Sequence, residues 1–185
     1  MKSYQIAPSI GSWTVAYEML RRGMRPPLVA AATGLPASPM RELFTEMTGQ
    51  RPPNGPAPNN SGSYIKRQRA AIQANLFFLA YYKEGGKDIF RHARPEVVLA
   101  AYDSYRKYLA AMDIKNSDSL TFTATWFIAR DLRSQELEKR YCRSCRLHHL
   151  YSLANTCLHG CPFCNAHLRA RPQKTEDVAD VIAGR

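Results

Sequence analysis

Two C-x-x-C hooks near the C-terminus constrain this chain more than any other feature: Cys142-Arg143-Ser144-Cys145 and Cys161-Pro162-Phe163-Cys164, with fifteen residues between them. Each hook is a short turn that aims two sulfurs at one point. Two hooks at this separation have the spacing of a tetrahedral four-cysteine zinc site, with Cys142, Cys145, Cys161 and Cys164 as ligands. The stretch between them is long enough for a small hairpin that returns the chain to the metal. Four thiolates leave no position for water or substrate, so one structural Zn2+ is expected and Lewis-acid catalysis is not.

Disulfides or a redox motif are the competing readings of these cysteines. Disulfides need an oxidising compartment. The N-terminus, Met1-Lys2-Ser3-Tyr4-Gln5-Ile6, has no apolar run of signal-peptide length, and no window reaches membrane-spanning length. The expected location is therefore the cytoplasm, where paired thiols more often hold metal. A redox C-x-x-C would occur once, in a strand-rich domain, whereas this chain reads as helical. Cys157, His148, His149, His159 and His167 lie close enough in sequence to replace a ligand. The two regular pairs are preferred, with Cys157 as a small apolar packing residue.

Charge points to the partner. The chain has 26 Lys and Arg against 15 Asp and Glu, a formal net charge of +11 that suits a polyanion. Nucleic acid fits first. An anionic membrane would call for a strongly basic amphipathic helix or a lipidation motif, and neither is present. From Lys139 to Lys174 there are seven Lys or Arg and no acid, and the hooks lie inside that block. Lys139, Arg140, Arg143, Arg146 and Arg169 are the resulting candidates for DNA contact. The sequence has no glycine-rich phosphate loop, G-x-S-x-G or H-E-x-x-H, nor a convincing pair of nucleophile and base, so an enzyme is not expected.

Periodicity predicts a mainly α fold. A helix is expected over 11–24, capped by Ser12, with Trp13, Ala16, Tyr17 and Leu20 at helical spacing. Pro26-Pro27 opens a second helix that ends near Gly34, and Ser38 is expected to cap a third that runs to Thr48. The pair reads as a helix-turn-helix, with Ala30 at the crossing, Gly34 in the turn, and Val29, Leu35, Met40 and Leu43 packed. Ser38, Arg41, Glu42 and Thr45 would lie on the exposed face, with Ser38, Arg41 and Thr45 as candidate DNA contacts. An ordinary helical hairpin uses the same residues and stays open as a reading.

Four prolines and three glycines over 49–63 break regular structure and suggest a stiff arm. A long helix is expected from Ser63 to Lys83, with Ile65, Gln68, Ile72, Leu76 and Leu79 on one side and Phe77, Phe78, Tyr81 and Tyr82 widening the apolar face. Another runs from Pro95 to Met112, and a third, capped by Asp118 or Ser119, reaches towards Lys139. Their aromatic stripes read chiefly as core, with surplus apolar surface for a partner subunit. The expected organisation is helix-turn-helix-like helices over 1–48, the arm over 49–63, a helical core over 64–139, the zinc module over 140–168 and a tail over 169–185.

The order of these features resembles the FlhC family, the larger subunit of the bacterial flagellar master activator. The likeness rests on the leucine-rich helix around Arg41-Glu42-Leu43-Phe44 and the arm Gly49-Gln50-Arg51-Pro52-Pro53-Asn54-Gly55-Pro56-Ala57-Pro58. It extends to the helix Val98-Leu99-Ala100-Ala101-Tyr102-Asp103-Ser104-Tyr105, to Trp126 and to the two hooks. Flagellar members carry a tryptophan-rich stretch after the arm, where this chain has Asn59-Asn60-Ser61-Gly62-Ser63-Tyr64. That departure brings the chain nearer to the AcaC- and SetC-like activators of conjugative plasmids and integrative elements. The resemblance implies a transcriptional activator that joins an FlhD-like subunit in a hetero-oligomer, binds double-stranded promoter DNA and recruits RNA polymerase at transfer or flagellar genes. A general nucleic-acid-binding zinc ribbon and a zinc-stapled interaction scaffold are the rival readings.

Overall fold

The computed structural model of the protein describes residues 9–55, 59–114 and 119–164. The fold is mainly helical, and one two-stranded antiparallel sheet is present among the described residues.

Helix α1 (Ile10–Arg21) is capped by Ser9, whose hydroxyl accepts the Ser12 backbone N–H. The expected cap, Ser12, is instead the donor in its first turn. Such a cap stabilises a helix by about 1 kcal/mol. Ala16, Met19 and Leu20 form the buried face of α1. Trp13 and Tyr17, which share its apolar periodicity, are 36% and 43% exposed.

Helices α2 (Pro26–Thr33) and α3 (Ala37–Thr48) are joined by a short turn in which Gly34 takes a left-handed conformation, φ 72°. Val29, Leu35 and Met40 are buried, and Leu43 packs half-buried against the same core. Pro36, not Ser38, occupies the N-cap position of α3. Ser38 lies in the first turn and donates to Glu42 Oε1 at 3.2 Å. Proline supplies no side-chain acceptor, but its fixed φ sets the entry angle of the chain.

The arm is irregular where described, apart from a 3-10 turn at Ser61–Ser63. It is tied down by side chains: Arg25 Nη1 donates to the Gly55 carbonyl at 3.1 Å, and Arg130 donates to that of Asn59. Helix α4 (Gln68–Gly85) starts five residues later than expected. Its buried residues are Ala71, Gln73, Ala74, Asn75, Phe77, Phe78, Ala80 and Tyr81, while Leu79 is 44% exposed. Of the expected face, Ile65, Phe77, Phe78 and Tyr81 are buried, while the edge at Leu79 faces outward and the core face is centred elsewhere than expected. The cause is that α4 is central: it packs on helix α5 (Pro95–Ala111), on helix α6 (Phe122–Arg133) and on the sheet, so it is covered on several sides. Its alanines let those neighbours approach closely.

Helix α5 buries Val98, Ala101, Tyr105 and Leu109, with Met112 at its end 48% exposed. Thr121, not Ser119, caps α6, and its hydroxyl accepts the Ala124 N–H at 3.2 Å. Asp118 lies outside the described residues. Helix α6 ends at Arg133 and does not reach Lys139. Strands β1 (Glu138–Tyr141) and β2 (His148–Tyr151) follow, paired with Lys139 opposite Leu150 and Tyr141 opposite His148. The core is one continuous cluster, running from Met19 and Met24 through Phe77 and Tyr105 to Leu150 and Leu158.

Candidate metal centre and nucleic-acid surface

The first hook forms the tip of the β1–β2 hairpin. This differs from the expectation that the hairpin would lie between the hooks. Cys142 donates its N–H to the Leu147 carbonyl at 2.9 Å, and Arg146 donates to the Cys142 carbonyl at 2.8 Å. Within this reversal Arg146 adopts φ 59°, the left-handed region. A non-glycine residue pays roughly 1–2 kcal/mol for that conformation. After β2 a loop with a 3-10 turn at Thr156–Leu158 returns the chain, and helical backbone over 162–164 presents the second hook.

The four expected sulfurs meet. Cys142 Sγ lies 3.6 Å from Cys164 Sγ, and Cys145 Sγ lies 3.4 Å from Cys161 Sγ. All four lie within 4.8 Å of one another and could hold a metal ion. A disulfide needs about 2.05 Å between sulfurs. A zinc tetrahedron with bonds of about 2.3 Å has edges of about 3.8 Å. The observed separations fit the second figure.

Backbone amides prepare the site for negative charge. The N–H groups of Cys145 and Ser144 hydrogen-bond the Cys142 sulfur, and those of Cys164 and Phe163 do the same for Cys161. The Cys142 thiol is drawn down to about 6, first by the Cys145 N–H. Burial pushes Cys161 up. The neighbouring Cys142 sulfur pushes Cys164 up to about 12. Without a cation, four clustered thiols cannot all ionise, which is the charge problem a divalent ion resolves.

The other sequence candidates for ligation point elsewhere. His149 is buried and hydrogen-bonds the Leu150 carbonyl at 2.9 Å. His159 bonds the Leu153 carbonyl and stacks on Tyr151, and His148 leans on Tyr141. Cys157 is half-buried against the core. His167 and Arg169 lie outside the described residues.

The candidate DNA contacts separate into two groups. Ser38, Arg41 and Thr45 are all exposed on α3, which packs on α1 and α2. The Thr45 hydroxyl turns back to the Arg41 carbonyl at 2.9 Å, and Glu42 and Glu46 share the exposed surface of α3 with Arg41. In the module, Lys139 Nζ sits 4.1 Å from the Tyr82 ring centroid, against the core. Arg140 lies over the Tyr151 ring and pairs with Glu138 at 3.2 Å. Arg143 and Arg146 are exposed at the hairpin tip, and neither has an ion-pair partner among the described residues.

Two polar residues outside the expected site anchor the module. Asn75 on α4 is fully buried and accepts the Leu150 N–H through Oδ1 at 2.7 Å. Gln68, at the start of α4, donates to the Pro162 carbonyl in the second hook at 2.8 Å. The sequence signal for Asn75 is its place in the run Ala74-Asn75-Leu76-Phe77, where an unpartnered amide would be costly.

The chain matches the family described as flagellar transcriptional activator (FlhC) over residues 1–177. It belongs to the FlhC family. Relatives named flagellar transcriptional regulator FlhC include proteins of Pectobacterium carotovorum and Gallionella capsiferriformans. The first is 25% identical over 91% of this chain and 86% of its own length. The second is 26% identical over 92% of this chain and 91% of its own. The FlhC of Paraburkholderia atlantica is 27% identical over 71% of this chain and 59% of its own length. The chain thus spans about three fifths of the length of some FlhC relatives, that of Cupriavidus necator being covered over 63%. The family is one of transcriptional activators, which is not an enzyme class. No helix among the described residues is long and apolar enough to cross a membrane.

Proposed function

We propose that this chain is the DNA-binding subunit of a transcriptional activator. The observation that carries the reading is the four-sulfur cluster at the tip of a hairpin that presents Arg143 and Arg146 without a nearby acid. Cys142, Cys145, Cys161 and Cys164 would hold one zinc ion. Zinc supplies the charge that lets all four thiols ionise together and so closes the module. Fixed by that closure, Arg143 and Arg146 donate to phosphates or to base edges of promoter duplex in the cytoplasm. Phosphate contacts set position and base contacts set sequence. Arg41 on α3 is a weaker contributor, because Glu42 and Glu46 repel the same phosphates.

The complex would include an FlhD-like subunit and would recruit RNA polymerase. Ile10, Trp13 and Tyr17 recur on one side of α1 and are 87%, 36% and 43% exposed, which supports a partner subunit covering that stripe. The names of the relatives favour flagellar operons over transfer operons.

A genome-wide binding profile of the tagged protein, with its FlhD-like partner present, tests the reading. Sharp peaks upstream of flagellar operons are the expected result. Peaks at transfer operons would keep the activator and change its targets. A flat profile from folded, zinc-loaded protein would overturn it. Cys142→Ser should lose both zinc and peaks, whereas normal peaks from that zinc-free variant would remove the metal from the mechanism.

A further inference from the structure

A second charged surface lies beside the cysteine module, on residues that the reading above does not use. Lys66 and Arg67 immediately precede α4 and are both exposed, and neither has an ion-pair partner among the described residues. They are held close to the metal centre by two hydrogen bonds. Gln68, the next residue, donates to Pro162 in the second hook at 2.8 Å. Asn155, in the loop leading to that hook, donates to the Ile65 carbonyl at 3.2 Å.

Between these two segments runs a cleft of about 470 Å3, lined by Asn60, Ser63, Lys66, Asn155, Thr156 and Cys157 among others. Among the described residues, Lys66 is its one charged lining residue and no carboxylate lines it. The adjoining cavity, of about 440 Å3, shares Asn60 and Asn155 but is lined by Asp131, Glu136 and Glu138. At the Asp131 end the charges are paired, Asp131 with Arg130 and Glu138 with Arg140. At the Lys66 end the cation has no ion-pair partner and the Thr156 hydroxyl has no hydrogen-bond partner among the described residues, so that end is the one that attracts an anion.

We infer that Lys66 and Arg67, with the cleft behind them, are a second phosphate-contact site for the same duplex that meets Arg143 and Arg146. This rests on the DNA-binding reading and extends it from the hairpin tip to the start of α4. Because Gln68 ties that start to the second hook, the metal would position both sets of cations together. Such contacts act on the sugar-phosphate backbone, so they strengthen binding to any sequence.

The test uses the full-length zinc-loaded protein with its partner subunit. The probes are a duplex taken from one of its genomic binding peaks and an unrelated duplex. Dissociation constants are measured across a series of KCl concentrations for wild type, Lys66→Gln/Arg67→Gln and Arg143→Gln/Arg146→Gln. Zinc content and circular dichroism verify that each variant is folded. The first variant should weaken both duplexes by at least about tenfold near 0.1 M salt and lower the salt slope by about two, as expected for two lost phosphate contacts. An unchanged slope in that variant, with a clear drop for Arg143→Gln/Arg146→Gln, would overturn this site and leave the DNA-binding reading standing. Failure of the wild type to bind either duplex would overturn both. Unchanged DNA binding with lost capture of purified RNA polymerase would reassign Lys66 and Arg67 to an acidic protein surface and also overturn the inference.

Discussion

The α2–α3 pair and the cysteine module are both compact units with exposed arginine, but different forces hold them. The helix pair is assembled by local sequence: a proline at each entry, Gly34 in the turn, and Val29, Leu35 and Met40 against α1. The module has few apolar residues to bury, chiefly Leu137, Leu150 and Leu158. It relies on four sulfurs and on the tethers from Asn75 and Gln68. Their electrostatics differ too. Arg41 shares α3 with Glu42 and Glu46, whereas Arg143 and Arg146 stand in a block free of acids. Proximity of acids, rather than the count of cations, decides which surface attracts a polyanion.

Removing the metal should break this contrast most. A strong chelator, or Cys161→Ser, is expected to expose the amides of Leu150 and Ser152 to hydrogen exchange while α2–α3 keeps its protection. Protection lost equally in both units would show that they form one cooperative block. Acid should act in the same direction. The folded Cys142 thiol sits at about 6, below its ordinary value, so the stability linked to its thiolate is present above that ordinary value and is lost as pH falls through about 6. Protons also compete with the ion, so the zinc-bound fraction at fixed free zinc should fall with pH, as followed by a chromogenic chelator.

A smaller effect is expected from Asn75→Ala. It leaves the buried Leu150 N–H without its acceptor, at a cost of about 1–3 kcal/mol in urea unfolding. Exchange in β2 should rise more than in α2. Gly34→Val should act on the other unit. At φ 72° a branched side chain costs roughly 1–2 kcal/mol, lowering the melting temperature without loss of zinc. Zinc loss in that variant would mean that strain at the turn reaches the module.

How much could be read in advance depended on the range of the interaction. The cysteine hooks were legible because metal geometry is written into a spacing of three residues. The Gly34 turn and the ends of α2 and α3 were legible for a related reason, since proline and glycine act on their own backbone. Caps were less so. Ser9 and Ser12 are three residues apart, and both can bond the other's backbone, so composition does not choose between them. The aromatic part of the α4 face, Phe77, Phe78 and Tyr81, was legible, but its edge at Leu79 was misplaced, because periodicity assumes one wet side and this helix is covered by α5, α6 and β2. Lys139 looked like a free cation until the fold set it against Tyr82.

The sequence by itself therefore determined a mainly helical chain, a four-cysteine site and a basic stretch around it, because each depends on residue type and short spacing. Tertiary structure decided which cations remain free, which polar side chains anchor the module, and that Lys66 and Arg67 stand beside the second hook. Those outcomes depend on contacts between distant segments, such as Asn75 with Leu150, 75 residues apart, and Gln68 with Pro162, 94 apart, and no local pattern encodes such pairings.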